Sequence, residues 1–478
     1  RLFVRELPLV VNGRPARVMG IVQADGTLGY SPERDAGFSV EVVNQLNVPT
    51  CIHWHGLILP NAMDGVPFVT QDPIPPGGTW SYDFPLSQSG TYWMHSHYGL
   101  QEQFLNSAPL VIWTPEERAK ADRQIVVLLS DFSFTPPTEI LQGLLHPDAM
   151  ADAAGDGMAG MNMASASTVA MAAQTWDDAA GRLVKSPVRR PPADVDVRYD
   201  ALLANRRTWD DPEVITVSPG ETVLLRMIAA SSATNFYVDT GTLDAEILAV
   251  DGKAVEPVRG NFFQLAIAQR IDLRVVIPQA GGSWPVLGQG EGTKQLCGIV
   301  LRTADAKAEP LPREAILNAA ALDNTQELRL RAAQPLAERP ADRTLPAALG
   351  GSMRDYRWTI NGRSYPNRDA LQVRAGERVA VDFTNPTMMS HPMHLHGHDF
   401  QVVEIDGQPI AGALRDTVNV PPGAAMRIAF DADNPGLWAF HCHILYHLAR
   451  GMFTIVGYDG AGEKFWQPEE SAREIQTF

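Results

Sequence analysis

Cysteine is scarce in this chain: Cys51, Cys297 and Cys442 are the only three in 478 residues. Three thiols cannot build a disulfide framework. If Cys442 binds a metal, Cys51 and Cys297 are expected as two separate buried thiols. Long apolar runs are missing too. No stretch of eighteen or more apolar residues offers a membrane-spanning helix. Positive charge is in deficit, with 39 Lys and Arg against 55 Asp and Glu and a net charge of −16. A protein that tracks nucleic-acid phosphates carries the opposite balance, so no nucleic-acid partner is expected. Acidic excess favours solubility and tolerates cationic metals. The chain opens on Arg1 rather than Met, as it would after removal of an export signal. A periplasmic or otherwise extracytoplasmic location is the matching expectation.

What is present is repetition. The stretch "GFSVEVVNQLNVPTCIHWHG" (37–56) is echoed by "GETVLLRMIAASSATNFYVDTG" (220–241) and "GERVAVDFTNPTMMSHPMHLHG" (376–397). Each opens on Gly, runs through an alternating Val/Leu strand and closes on Gly. A shorter element follows each: "GTYWMHSH" (90–97), "GSWPVLGQ" (282–289) and "GLWAFHCH" (436–443). Alternating strands punctuated by Pro/Gly turns such as "IPPGGTW" and "VPPGAAM" predict β-sandwiches. Three copies predict three domains, near 1–120, 121–305 and 306–478.

The copies differ in their histidines. Aligned without gaps, Asn235, Val238 and Thr240 stand where the third copy has His391, His394 and His396, while Leu287 and Gln289 replace His441 and His443. Histidines kept for packing have no reason to vanish together from one copy. A metal site between the first and third domains is expected, with the middle domain as spacer.

Random placement of 12 histidines predicts about 0.3 His-x-His pairs. The chain has five: His53/His55, His95/His97, His394/His396, His396/His398 and His441/His443. Zinc also takes imidazole and thiolate, but a structural zinc site wants about four ligands, and ten histidines with a thiolate would overfill one. On a strand, residues two apart share a face and their neighbour points away. In "HCHILYHLARGM" (441–452), His441 and His443 therefore face one way and Cys442 the other. His391 lies three before His394 and joins the Cys442 side. His447 falls beyond the strand and can turn back to the thiolate, and Met452 suits a weak axial ligand. Cys, two His and a distant Met are the ligand set of a blue-copper electron-transfer site. Eight histidines remain for a second centre: His53, His55, His95, His97, His394, His396, His441 and His443. Eight imidazoles can hold three copper ions.

With "HWHG", "HSH", "HPMHLHG" and "HCHILYHLARGM" in this order and spacing, the chain resembles the multicopper oxidases, a family that includes laccases, bacterial cuprous oxidases and copper-resistance oxidases. The resemblance covers nearly the whole chain. It implies an all-β fold of three cupredoxin-like Greek-key sandwiches and four copper ions. By the same resemblance, His391, Cys442, His447 and Met452 hold the type 1 copper. His53 and His394 hold the type 2 copper. One type 3 copper takes His55, His95 and His443, and the other takes His97, His396 and His441. The implied reaction draws four single electrons through the type 1 copper, passes them from Cys442 to His441 and His443, and reduces dioxygen to two waters. Asp64, in "NAMDGVPF", corresponds to an acid that the family uses near the cluster. Read alone, Asp64 before Gly65 is also ordinary turn chemistry. Leu448 follows His447, where some bacterial cuprous oxidases carry an acid.

Methionines point to the substrate. Residues 149–173, "AMADAAGDGMAGMNMASASTVAMAA", hold five of the 15 Met, within a segment of about 140–195 expected to be a flexible loop. Thioethers select Cu(I), so Met150, Met158, Met161, Met163 and Met171 are candidate Cu(I) ligands, with His146 as a further member. Met388, Met389 and Met393 flank His391, and Met389 is a candidate at a second Cu(I) entry point. His398 is expected to be structural. A cuprous oxidase acting in copper tolerance is the leading reading. A laccase-like oxidase of small phenols and aromatic amines is second, and a copper-sequestering protein is a third from another class. Storage needs no Cys442 bridge, which counts against the third. Copper nitrite reductases fit poorly, lacking the second set of paired histidines and the third domain. A monomer is expected.

Overall fold

The computed structural model describes residues 1–119, 123–146, 168–308 and 310–460. Its regular elements are nearly all strands, arranged in three successive pairs of sheets. In the first, a four-stranded sheet (Arg14–Val22, Leu2–Val11, Phe38–Asn44, Thr79–Phe84, in spatial order) accompanies a three-stranded one (Ile52–His55, Gly90–Ser96, Ser107–Ile112). The second pair has eight and five strands between Arg123 and Thr303, and the third has seven and five between Arg343 and Tyr458.

Alternation sets which residues face inward. In Phe38–Asn44, Phe38, Val40, Val42 and Asn44 are buried while Ser39 is exposed, the period of a half-covered strand. The strands that carry histidine differ: all four residues of Ile52–His55 and all five of His391–Leu395 are buried. They are covered on both faces, one by core and one by the neighbouring domain. A single apolar cluster runs through the first and third sandwiches, from Trp54 and Trp93 to Trp358 and Trp438, whereas the middle sandwich has its own core around Leu225, Phe236 and Ile299.

The structure departs from the sequence reading in two places. Within the segment expected to be a loop over about 140–195, Pro137–Leu145 is a helix, and Val169–Asp177 and Arg182–Arg190 form a hairpin in register from Val169↔Arg190 to Asp177↔Arg182. Ala-rich composition hides the alternation, because small side chains give little hydrophobic contrast between the two faces. The second departure lies in the middle copy. Val238 stands opposite Gly288, whereas its counterpart His394 stands opposite His441. That pairing is one residue out of the register implied by the ungapped alignment. No histidine enters the pair in either register.

No helix among the described residues is long and apolar enough to cross a membrane. Each of the three cysteines is buried and free.

Candidate metal centres

Two neighbouring strand pairs carry most of the site. His53 lies opposite His95 in the first sandwich, and His394 opposite His441 in the third. Met393 faces Cys442 across the same ladder. The pleat therefore sends His394 and His441 to one side and Cys442 to the other, as a period of two requires.

On the Cys442 side, His391 Nδ1 and His447 Nδ1 lie 3.2 Å apart, and each is 3.7 Å from Cys442 Sγ. All three are buried. His447 belongs to the short helix Leu445–Ala449, which turns it back toward the thiol. Met452 is buried and tied to both: its N–H donates to the His447 carbonyl at 3.0 Å, and its carbonyl accepts from Cys442 N–H at 3.0 Å. The outer nitrogens are also occupied. His391 Nε2 is 2.9 Å from Thr387 Oγ, and His447 Nε2 is 2.8 Å from Asp196 Oδ2, without hydrogen-bond alignment. Tyr356 donates to the same Asp196 oxygen at 2.6 Å, and the Trp358 ring stacks on His447 with centroids 3.8 Å apart.

On the other side the remaining eight histidines converge. Three groups bring their ligand atoms within 4.8 Å of one another: His53, His55 and His394; His55, His95 and His443; His97, His396 and His441. The ring nitrogens divide by role. His53 Nδ1 meets the Asp64 carbonyl at 2.7 Å, His394 Nδ1 the Asp416 carbonyl at 2.8 Å, and His95 Nδ1 the Ser96 carbonyl at 3.1 Å. His55 is reversed, with Nε2 held 3.1 Å from Asp416 Oδ1. The opposite nitrogens, Nε2 of His53, His95, His394 and His443 and Nδ1 of His55, are buried with no hydrogen-bond partner. Nε2 of His441 sits 3.0 Å from that of His396 and 3.3 Å from that of His97. Buried polar atoms are normally paired. Inward-facing bare imidazole nitrogens, fixed from behind at His53, His55, His95 and His394 by the other ring nitrogen, are what a metal centre requires.

Electrostatics agree. Burial pushes His55, His95, His97, His394, His396 and His443 well below the usual histidine range, with neighbouring imidazoles adding to the effect, and His441 falls to about 4. Neutral imidazole is the ligating form. Burial pushes the Cys442 thiol up, so it ionises only with a cation beside it.

Asp64 is fully buried, with Oδ2 2.9 Å from His396 Nδ1 and Oδ1 3.2 Å from His53 Nδ1. Gly65, at φ +80°, lets this turn press on the strand: a Cβ there would overlap the Ile52 carbonyl. Leu448 packs against a small apolar cluster. His398 Nδ1 donates to the His396 carbonyl (3.0 Å), which leaves Nε2 to accept from the Tyr458 hydroxyl (2.6 Å). His146 ends the helix Pro137–Leu145.

Two methionine candidates are displaced. Met171 is fully buried on the hairpin strand, packed with Ala173, Val188 and Ala320, and so has no face for a Cu(I) ion. Met389 is buried in the main core, while its neighbour Met388 is 55% exposed. Met150, Met158, Met161 and Met163 lie outside the described residues.

Sequence reasoning missed several carboxylates. Glu102 is buried with Oε2 3.2 Å from His95 Nδ1 and Oε1 3.8 Å from His443 Nδ1; burial, then Asp131, raises it well above the usual carboxylate range. Asp416 backs His55 and His394, and Asp196 backs His447. Glu102 and Asp416 are lone acids in their local sequence and Asp196 is one of several in "ADVDVRYD", so no spacing signal marks any of them.

Residues 32–117, 166–301 and 338–459 match three family profiles, each described as multicopper oxidase. The multicopper oxidase MmcO of Mycobacterium tuberculosis is 34% identical over 424 residues, spanning 88% of this chain and 79% of that protein. The chain belongs to the multicopper oxidases. A copper resistance protein A homologue from Pseudomonas syringae pv. tomato is 28% identical over 87% of this chain and 85% of its own length. The crystal structure of a laccase from Botrytis aclada superposes with a TM-score of 0.72 at 21% identity, covering 99% of this chain and 90% of that one; it is a likeness of cupredoxin-like fold. As a family member the chain is an oxidoreductase that uses copper, dioxygen and a reductant.

Proposed function

We propose that this multicopper oxidase oxidises Cu(I) and serves copper tolerance in an extracytoplasmic compartment, as a monomer with four coppers. The type 1 ion is assigned to His391, Cys442, His447 and Met452. The type 2 ion is assigned to His53 and His394. One type 3 ion is assigned to His55, His95 and His443, and its partner to His97, His396 and His441. The bound coppers supply one-electron acceptance from the donor and the four-electron reduction of dioxygen to water.

The chain's own residues do the rest. One peptide bond joins Cys442 to each of His441 and His443, so the two centres are linked through covalent bonds. Burial of nine of the ten ligand imidazoles, with His97 half-buried, keeps water from competing for their inner nitrogens. Asp64, between His53 and His396, delivers protons to the dioxygen site.

The observation that carries the choice of donor is the covering of the type 1 imidazoles. Thr387 closes the outer edge of His391, and Asp196 with Tyr356 closes that of His447. Among the described residues neither His391 nor His447 opens an edge to a phenolic ring, whereas a metal ion needs only a nearby soft ligand, and Met388 is exposed three residues from His391. Homology to a copper resistance protein supports the same choice.

The test is oxygen uptake by copper-loaded protein with Cu(I) and with a dimethoxyphenol, before and after changing Met150, Met158, Met161 and Met163 to Leu. Cu(I) is the better donor on this reading, and the Met variant lowers its kcat/KM while sparing the phenol. A faster phenol reaction, untouched by the Met changes, makes the protein a laccase.

A further inference from the structure

The middle sandwich carries none of the clustered histidines, yet one of its side chains reaches the centre. Arg270 begins the strand Arg270–Val276 and is fully buried. Its Nη1 donates to Asp416 Oδ1 at 2.8 Å and its Nη2 to Asp416 Oδ2, a bidentate pair. Its Nε donates to the Thr91 carbonyl of the first sandwich at 3.1 Å. Asp416 in turn meets two cluster histidines, His55 Nε2 through Oδ1 at 3.1 Å and His394 Nδ1 through its carbonyl at 2.8 Å. Thr417 supports both rings, its Oγ lying 3.1 Å from His55 Nε2 and 3.2 Å from His394 Nδ1. Gln269, beside Arg270, donates to the Thr417 carbonyl at 3.0 Å.

We propose that Arg270 is a positioning residue for the three-copper site, fixing through Asp416 which nitrogen of His55 and of His394 faces the metals. Three sandwiches meet in this one contact. Apolar packing would join them as well, because a buried ion pair gains little over a hydrophobic substitute of similar volume. An aimed, fully hydrogen-bonded pair instead sets ring orientation, as partners behind metal-bound histidines do. The chain also leaves room for it. Gly56, the last residue of "HWHG", sits at φ +85°, and a Cβ there would run into both Asp416 Oδ2 and Arg270 Nη2. The motif's glycine is explained by the pair that lies against it.

This inference rests on the three-copper reading and is tested separately from it. Copper-loaded Arg270→Gln and Arg270→Lys proteins are compared with the parent by copper content, electron paramagnetic resonance, the blue thiolate band, and kcat and KM for Cu(I). For Arg270→Gln the expected result is an unchanged blue band and KM, a kcat lower by about 10–100-fold, and a type 3 pair that is uncoupled or depleted. Arg270→Lys keeps the charge without the bidentate fork and recovers part of the loss. Full copper content and kcat in Arg270→Gln overturns the proposal. So does loss of the blue band and cluster signals together in both variants, or failure of both to fold, since a plain structural clamp predicts that. A parent protein lacking a coupled copper pair refutes the three-copper reading instead.

Discussion

In the C-terminal sandwich the strand His391–Leu395 sets His394 opposite His441; in the middle one the corresponding strand, Phe236–Asp239, sets Val238 opposite Gly288. Both strands are almost wholly buried, and both sit in five-stranded sheets. The architecture therefore does not need histidine, and the third sandwich carries it for chemistry. The reverse lesson comes from the edges of the middle unit. Its contributions to the site are carboxylate and guanidinium groups that stand behind the ligands, Asp196 at His447 and Arg270 at Asp416. The third sandwich supplies histidines and partners behind them, whereas the middle one supplies only such partners.

The comparison breaks most visibly at Cys442. Cys442→Ser should abolish the blue band and lower oxygen uptake at least about 100-fold while the eight-histidine cluster keeps its copper, measured by absorption and copper analysis. Asp64→Asn should lower kcat about 100-fold with the blue band unchanged, and a shift in the pH–rate profile would mark the loss of a proton donor. Planting a histidine in the middle sandwich, Val238→His, should cost roughly 1–3 kcal/mol in denaturant unfolding and bind no additional copper, because nothing there holds the second nitrogen.

The cluster also sets an acid limit for the metal-free protein. Burial holds His55, His95, His97, His394, His396, His441 and His443 neutral, with folded values below the ordinary one near 6.5 and that of His441 about 4. Depressed folded values mean that the unfolded chain binds more protons, so stability is present above about 6.5 and is lost as pH falls toward 4. Urea midpoints across that window should fall with acidity, and copper loading should flatten the dependence. The smallest effect is expected at Met171→Leu, a core exchange costing under about 1.5 kcal/mol and leaving Cu(I) oxidation unchanged.

The histidine motifs were legible because each lies within one strand or turn, where a spacing of two translates directly into a shared face. The middle copy's emptiness was legible for the same reason. Asp416, Glu102 and Asp196 were not. Asp416 and Asp196 meet histidines far along the chain, 361 residues away for Asp416 and His55, while Glu102, though close to His95 in sequence, stands outside the two-residue spacing that marks a shared strand face. Arg270 was hidden likewise, in a strand whose neighbours read as ordinary core. The hairpin over Val169–Arg190 escaped because alanine blurs alternation, and Met171 went with it.

On the proposed reading, one thiolate site and one eight-histidine site hold four coppers. Copper analysis with quantitative electron paramagnetic resonance on the loaded protein tests it most directly. Four coppers per chain, of which half are paramagnetically visible and the rest coupled and silent, is the predicted result. One or two coppers per chain, all of them visible, would contradict the account.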